Sequence, residues 1–341
     1  MSNKTNRAPS PVFIIAEAGV NHNGNVDFAI QMIDVAAKAG ANAVKFQTFR
    51  AEDMTTSYAA KAEYQKKAST AQESQQEMLK NLELPEAVYP ELVSYCEERS
   101  VEFMSTAFDI QSMDFLVKLG IKRIKIPSGE LTNVPLLRHC AKQALPIILS
   151  TGMASLAEVV EAKAVLLDAG AQTNDLSILH CNTAYPTPFC DANLACIQTL
   201  SKLGCAVGYS DHTLGDEAII ASIALGAGIV EKHFTLDRTM EGPDQATSLE
   251  PDELLTMVDR IRNIEMAFGN GVKEPTESEL KNISVARKSI VAGECIKKGD
   301  VFTDANLMTK RPGNGLSAAL WDQVIGQTAQ RDYAVDELIE L

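Results

Sequence analysis

The chain has 341 residues, 45% of them hydrophobic and 22% charged, a composition that can bury a sizeable globular core. A formal net charge of −14 argues against a nucleic-acid or membrane-surface partner, so positive contacts to an anionic ligand must be local. The seven scattered cysteines lack a CxxC pair and read as reduced thiols; with the polar start MSNKTNRAPS and no run of 18 apolar residues, the expected compartment is the cytoplasm.

Short apolar or β-branched runs recur along the chain, at 12–19 (VFIIAEAG), 41–49 (ANAVKFQTF), 101–108 (VEFMSTAF) and 123–130 (RIKIPSGE). Four more follow, at 146–153 (PIILSTGM), 176–186 (LSILHCNTAYP), 205–211 (CAVGYSD) and 228–235 (GIVEKHFT). The stretches between them carry apolar residues at three- and four-residue steps and close on glycine, as helices do, and a last helix is expected at 250–269. Alternation of this kind fits a (β/α)8 TIM barrel, for which about 250 residues is typical. A doubly wound open sheet competes, but AEAGVNHNGN contains no G-x-G-x-x-G, and polar residues gather at every strand end. Residues 50–84, rich in Glu, Gln, Lys and Ala, separate strand two from its helix and are expected to form a lid or a subunit contact. The polar stretch GNGVKEPTESELKN then divides the chain into a barrel (1–270), a linker (271–284) and a small β-rich domain (285–341). So small a domain would gain from docking onto something larger.

In a barrel, alternate strand residues face the interior, and the C-terminal strand ends surround the active site. GYSDHT (208–213) and VEKHFT (230–235) end neighbouring strands, so His212 and His233 converge. Two imidazoles with water and substrate oxygens suit a divalent first-row ion, Mn²⁺ first, with Mg²⁺ or Co²⁺ as alternatives. Glu231 shares parity with His233 and is a further ligand or an orienter; Asp211 buttresses the site, and Lys232 points outward. Lys45 and Lys125 lie inside strands, where a lysine needs an anion or a carboxylate partner. Gln47 shares the parity of Lys45. Thr106, Ser128, Ser150 and Ser210 add hydroxyl donors, and Gly129 and Gly152 add backbone N–H groups, a combination suited to phosphate and carboxylate. Glu17 and Glu130 are acid–base candidates, or else partners of the two lysines. His22 and Asn23 form a turn and helix cap or touch substrate.

AEAGVNHNG, AVKFQT, KIPSGE, ILSTGM, HCNTAYPTP, GYSDHT, EKHFT, GPDQATSLEP and KRPGNG, in order from about residue 12 to the end, resemble the N-acetylneuraminate (sialic acid) synthase family. The tail resembles the antifreeze-like SAF domain, a β-clip, that such synthases carry. The resemblance implies metal-dependent condensation of phosphoenolpyruvate with an N-acetylated amino sugar and release of phosphate. It assigns Lys45, Thr106, Lys125, Ser128, Ser150, Asn182 and Ser210 to phosphoenolpyruvate and His212 and His233 to the metal. Glu17 is then the catalytic carboxylate, with Glu130 able to share the task, and Gln47, Tyr185 and Asp244 surround the sugar. Some members have Thr-Asn where this chain has Asn182-Thr183, which leaves either residue as the ligand contact. Arg311 matches an arginine that one subunit's tail inserts into the other's barrel, implying a domain-swapped homodimer. The expected activity is N-acetylneuraminate synthesis from N-acetylmannosamine, in cell-surface polysaccharide biosynthesis. The alternative is legionaminic acid synthesis from a 2,4-diacetamido-2,4,6-trideoxy hexose, with pseudaminic acid synthesis less favoured. A Schiff-base aldolase using Lys45 or Lys125 and a non-catalytic sugar-binding protein are the competing readings.

Overall fold

The structure is a computed structural model that describes residues 11–56, 59 and 74–341. Its eight first strands are β1 (Phe13–Gly19), β2 (Ala43–Thr48), β3 (Glu102–Ala107), β4 (Ile124–Ile126), β5 (Ile147–Ser150), β6 (Leu176–Cys181), β7 (Ala206–Asp211) and β8 (Ile229–His233). Each pairs in parallel with the next, and β8 closes on β1. One principal helix follows each strand: α1 (Val26–Ala39), α2 (Tyr89–Glu98), α3 (Ile110–Leu119), α4 (Val134–Ala141), α5 (Leu156–Asp168), α6 (Cys196–Leu200), α7 (Glu217–Ala224) and α8 (Pro251–Ala267). This is the (β/α)8 barrel that the alternation of patterns implies.

Local signals set the helix ends. The Asn25 side chain accepts from the Asp27 and Phe28 amides to start α1, and Gly40, in the left-handed region, ends it. Ser155 and Glu158 form a capping box at the start of α5. On α1 the buried residues Ala29, Met32, Ile33 and Ala36 recur at three- and four-residue steps, the stripe that packs on the strands.

Two apolar layers result. Outward-facing strand residues such as Ile14, Val44, Ile178 and Val230 join the helices in one continuous core. Inside the barrel, Ile15, Ala43, Met104, Ile148 and Leu179 form a plug, with Phe13 and Ile229 packed against it. The plug is the floor on which the polar strand ends stand. Gly208 admits close strand contact here: a Cβ would lie 2.3 Å from the Ile229 carbonyl oxygen and 2.4 Å from Leu179 Cδ2.

The sequence runs overshoot the strands most at the fourth and the sixth. The fourth stops at Ile126, because Pro127 has no N–H to donate and Ser128–Glu130 turn into a 3₁₀ helix. The sixth stops at Cys181, before the loop NTAYPTP. Within 50–84, Ala51–Met54 and Gln75–Lys80 form short helices; of the segment expected as a lid or subunit contact, 57–58 and 60–73 lie outside the described residues. Around those helices Val20, Phe49, Ala51, Met78, Leu79 and Leu82 form a separate apolar cluster.

The first compact unit ends at Gly269 and the second is Asn270–Leu341. The stretch read as a linker (271–284) holds most of α9 (Glu277–Ala286), which runs two residues past it and is started by a Thr276–Glu279 capping box that the spacing T-x-x-E already carries. Beyond it β9 (Ser289–Ala292) pairs antiparallel with β10 (Leu307–Lys310) over a small core including Ile290, Ile296, Phe302, Val324, Tyr333 and Ile339. Among the described residues no disulfide forms, and no helix is long and apolar enough to cross a membrane.

Candidate active site

The strand register lines up the polar residues. Glu17 on β1 lies opposite Lys45 on β2 and opposite His233 on β8. One step higher, Gln47, Thr106 and Lys125 form a rung across β2, β3 and β4. Period-two alternation turns Lys45 and Gln47, and likewise Glu231 and His233, toward the barrel axis.

At the centre is a buried quartet of alternating charge. Lys45 Nζ lies 2.6 Å from Glu17 Oε2 and 3.7 Å from Glu231 Oε2, and donates to Thr106 Oγ1 at 2.9 Å. Lys125 Nζ lies 3.5 Å from Glu231 Oε1 and donates to Ser150 Oγ at 2.8 Å. Ser210 Oγ donates to Glu231 Oε1 at 2.9 Å. Glu231, read from the sequence as a ligand or orienter of the metal, thus bridges both ammonium groups. Burial alone would raise its pKa, but Lys125 and Lys45, with the Ser210 hydroxyl, draw it down to about 2. Glu17 behaves oppositely: burial, reinforced by Glu231, outweighs Lys45 and lifts its pKa to about 7. Burial lowers Lys125, with Glu231 opposing; for Lys45 the same desolvation is overcome by Glu17 and Glu231, and its pKa rises. The surroundings thus push the two carboxylates in opposite directions, Glu231 toward the charged form and Glu17 toward the protonated one.

His212 and His233 do converge, with ring centroids 5.5 Å apart, and Tyr185 packs 4.1 Å from the first and 5.8 Å from the second. Burial lowers the pKa of His212 to about 4; burial, with His212 and Lys45 adding to it, lowers His233 well below its usual value. Both rings are neutral at physiological pH. His212 Nδ1 bonds the Asn182 carbonyl oxygen, which can only accept, so its proton sits on Nδ1 and the Nε2 lone pair is left for a ligand. His233 Nδ1 is buried without a hydrogen-bond partner, 3.9 Å from Asp244 Oδ2. These donors fit a divalent ion. Among the described residues no group of three or more His, Cys, Asp or Glu side chains could hold one, so substrate oxygens and water would complete the shell.

Two cavities open here. The inner one, about 70 Å³, is lined by Glu17, Lys45, Thr106, Lys125, Ser150, Ser210 and Glu231 together with His212 and His233. The outer one, about 420 Å³, shares Gln47, Phe108, Pro127, Ser128, Tyr185 and His233 with it and adds Thr183 and Asp244. Cys181, Phe108 and Pro127 also line the inner cavity and were not singled out from the sequence; nothing in the spacing of a cysteine or an apolar residue marks it as a lining group. Cys181 Sγ accepts from the Gly152 amide and lies 3.1 Å from Ser128 Oγ. Gly152 must be glycine: its φ is +35°, and a Cβ would lie 2.5 Å from Ser128 Oγ and 2.7 Å from Thr183 Cγ2.

Five expected residues stand elsewhere. Glu130 caps a turn, accepting from Asn133 Nδ2 at 2.6 Å, and lines neither cavity. The Asn182 side chain folds into its own loop, accepting from the Ala184 amide at 2.7 Å and donating to the Asp191 carbonyl; Thr183 is the one that reaches the outer cavity. Arg311 belongs to the second unit, where it is exposed and donates from Nε to the Ala286 carbonyl. Asp211 faces away from the histidines and accepts from Lys232, Tyr209 and Thr213. His22 is buried and lines neither cavity, while Asn25 does the capping.

A closed parallel barrel of eight strands, with an ammonium–carboxylate quartet and two imidazoles at its mouth, belongs to the (β/α)8 class, whose sites lie at the C-terminal strand ends. The chain belongs to the NeuB family, whose model matches residues 32–273, and its tail, residues 287–340, matches the SAF domain. It is 49% identical to the N,N'-diacetyllegionaminic acid synthase of Campylobacter jejuni, over 96% of this chain and 98% of that one. Identity to the N,N'-diacetyllegionaminic acid synthase of Legionella pneumophila is 44%, over 92% of this chain and 89% of that one. The crystal structure of the N-acetylneuraminic acid (sialic acid) synthetase of Leptospira borgpetersenii matches with a TM-score of 0.71 at 36% identity, covering 81% of this chain and 91% of that one.

Proposed function

We propose that this protein condenses phosphoenolpyruvate with a 2,4-diacetamido-2,4,6-trideoxy hexose, giving a legionaminic-acid-type product and phosphate. Two relatives named for that product, at 49% and 44% identity, favour it over the neuraminic acid branch that the motifs first suggest. The observation that carries the reaction class is the buried quartet. Two lysines held 3.5 and 3.7 Å from one carboxylate, with Thr106 and Ser150 accepting from them and the Ser210 hydroxyl on that carboxylate, form an anion cradle. Such a cradle suits the carboxylate and phosphate of phosphoenolpyruvate.

In this reading Lys45 and Lys125 fix the enol ester with its C3 toward the sugar, so that orientation supplies much of the acceleration. A bond forms from C3 to the sugar's aldehyde carbon, whose oxygen takes a proton; water adds at C2, and the bond from C2 to the phosphate oxygen breaks. Glu17, with its pKa near neutrality, takes the proton of that water. A divalent ion on His212 and His233, Mn²⁺ first with Mg²⁺ or Co²⁺ as alternatives, would supply Lewis-acid polarisation of the aldehyde. Gln47, Tyr185 and Asp244, at the wider cavity, hold the sugar. The placement of Arg311 across a homodimer belongs to the same reading and rests on resemblance alone.

Phosphate release with phosphoenolpyruvate, measured in parallel with the diacetamido sugar and with N-acetylmannosamine, tests this. Faster release with the diacetamido sugar is expected. Turnover confined to N-acetylmannosamine would return the chain to the neuraminic acid branch, and none with either would remove the assignment.

A further inference from the structure

The outer cavity has two unlike sides. Gln47, Asp244, Tyr185 and His233 make one polar. The other is a wall of Val20, Met54, Met78, Leu79, Leu82 and Phe108. Met78 and Leu79 come from the short helix Gln75–Lys80, which begins with a Ser74–Glu77 capping box. Their packing onto Phe49 and Ala51 braces the wall from behind.

A wall of thioether, alkyl and phenyl groups is a poor neighbour for a polyhydroxylated sugar. A hydroxyl turned toward it loses water and gains no partner, whereas a methyl group gains contact. The polar side and the inner cavity fix which end of the sugar points inward, because the aldehyde must meet the cradle. The distal end of the same molecule is then the part left to the wall.

Resting on the reading above, we infer that the wall formed by Met54, Met78, Leu79 and Leu82 is the specificity surface for the C4–C6 end of the sugar. It takes the 6-methyl group and the acyl methyl at C4, and so selects deoxy, acylated hexoses over those with free hydroxyls there. An apolar pocket separates substrates that differ by one such group by about 10–100-fold.

The test compares kcat/KM for the diacetamido trideoxy hexose, N-acetylmannosamine and 6-deoxy-N-acetylmannosamine in the wild type, M78Q and M54Q. The glutamine of M78Q is close to methionine in size. Met54 is only part-buried, so M54Q tests the wall even should M78Q not fold. The wild type is expected to favour 6-deoxy-N-acetylmannosamine over N-acetylmannosamine by about tenfold or more. Either variant should erase most of that preference by raising KM for the deoxy sugars rather than lowering kcat. Preference retained in the folded variants, or a loss shared equally by all three sugars, overturns the wall while leaving the proposed reaction intact. Wild-type turnover of N-acetylmannosamine alone removes both the wall and the legionaminic-type substrate.

Discussion

Glu17 and Lys45 face one another across the β1–β2 ladder, and their Oε2 and Nζ atoms close to 2.6 Å with both side chains buried. Buried ion pairs are weak devices for stability, since desolvation offsets most of the attraction. Their position under the mouth of the barrel points to chemistry instead.

Glu17→Gln keeps the shape and removes the exchangeable proton. Turnover is expected to fall by about 10²–10⁴-fold, the usual contribution of general acid–base catalysis. The KM for phosphoenolpyruvate should move much less, because Lys45 and Lys125 remain. Glu130→Gln is the control: its carboxylate is committed to Asn133 and should leave phosphate release nearly unchanged. Equal losses in both variants would reverse the assignment of the proton carrier.

Lys125→Met removes the ammonium 3.5 Å from Glu231 and leaves that carboxylate sharing a single lysine. A charge-assisted hydrogen bond is worth about 1.5–3 kcal/mol, so KM for phosphoenolpyruvate should rise by roughly 10–100-fold. Ser150→Ala, which removes the hydroxyl that accepts from Lys125, should show a smaller rise of the same kind. Steady-state phosphate release against phosphoenolpyruvate concentration checks both, and an unchanged KM in Lys125→Met would remove the cradle.

Much of this was legible before any coordinates, for a physical reason. Strand parity alone placed Lys45 with Gln47 and Glu231 with His233, because a strand alternates faces whatever the fold around it. Parity could not say which partner each charge would choose. Glu231 therefore read as a metal ligand or an orienter of the metal site, although distances in space put it between two lysines. The side chains of Glu130 and Asn182 escaped for another reason. Both follow a strand end, and a 3₁₀ turn or a loop aims side chains by local hydrogen bonds that no periodicity encodes. The wall of the outer cavity was invisible for a third: Met54 and Met78 are 24 positions apart in sequence and meet only through the fold.

Chelation tests the imidazole pair. With His233 Nδ1 buried and unpartnered and both rings neutral, the site is expected to lose turnover in EDTA and to regain it with Mn²⁺. His212→Ala should weaken Mn²⁺ binding measured by electron paramagnetic resonance, independently of catalysis. Full activity in EDTA, combined with a borohydride-trapped adduct on Lys45 or Lys125, would instead support the Schiff-base alternative.

His22 supplies a pH dependence separate from the site. Its ring lies 6.0 Å from that of Phe46, Nδ1 accepts from the Gly24 amide at 3.0 Å, and Nε2 is buried without a partner. Desolvation lowers its pKa from 6.5 to about 4. The fold therefore holds the neutral form, while the unfolded chain takes up a proton below pH 6.5. The stability at stake is fully present above pH 6.5 and is lost progressively as pH falls toward 4. At pH 5 the loss should be about 2 kcal/mol relative to neutral pH. Urea unfolding at pH 7.5 and pH 5 should show that difference shrinking in His22→Asn. An identical pH dependence in the variant would mean the ring titrates freely in the fold.

Lys232 alternates away from Glu231 and His233, as its parity requires, yet it is not solvated there. It lies in a fully buried position on the outer face of β8, with Nζ 2.6 Å from Asp211 Oδ2, and it also donates to the Thr213 carbonyl. Asp211 in turn accepts from Tyr209 Oη at 3.1 Å and from the Thr213 amide at 2.9 Å. The cluster fixes the residues on both sides of His212. Lys232→Met should therefore destabilise the protein by about 3–5 kcal/mol, the cost of stranding a buried carboxylate. Replacing both members, Lys232→Met with Asp211→Asn, should recover part of that loss, since no uncompensated charge remains. A double-mutant cycle read by urea unfolding is expected to give a coupling energy of about 1 kcal/mol or more. A near-neutral Lys232→Met would mean that Tyr209 and Thr213 suffice to hold Asp211, and that the ammonium contributes nothing to the turn that presents His212.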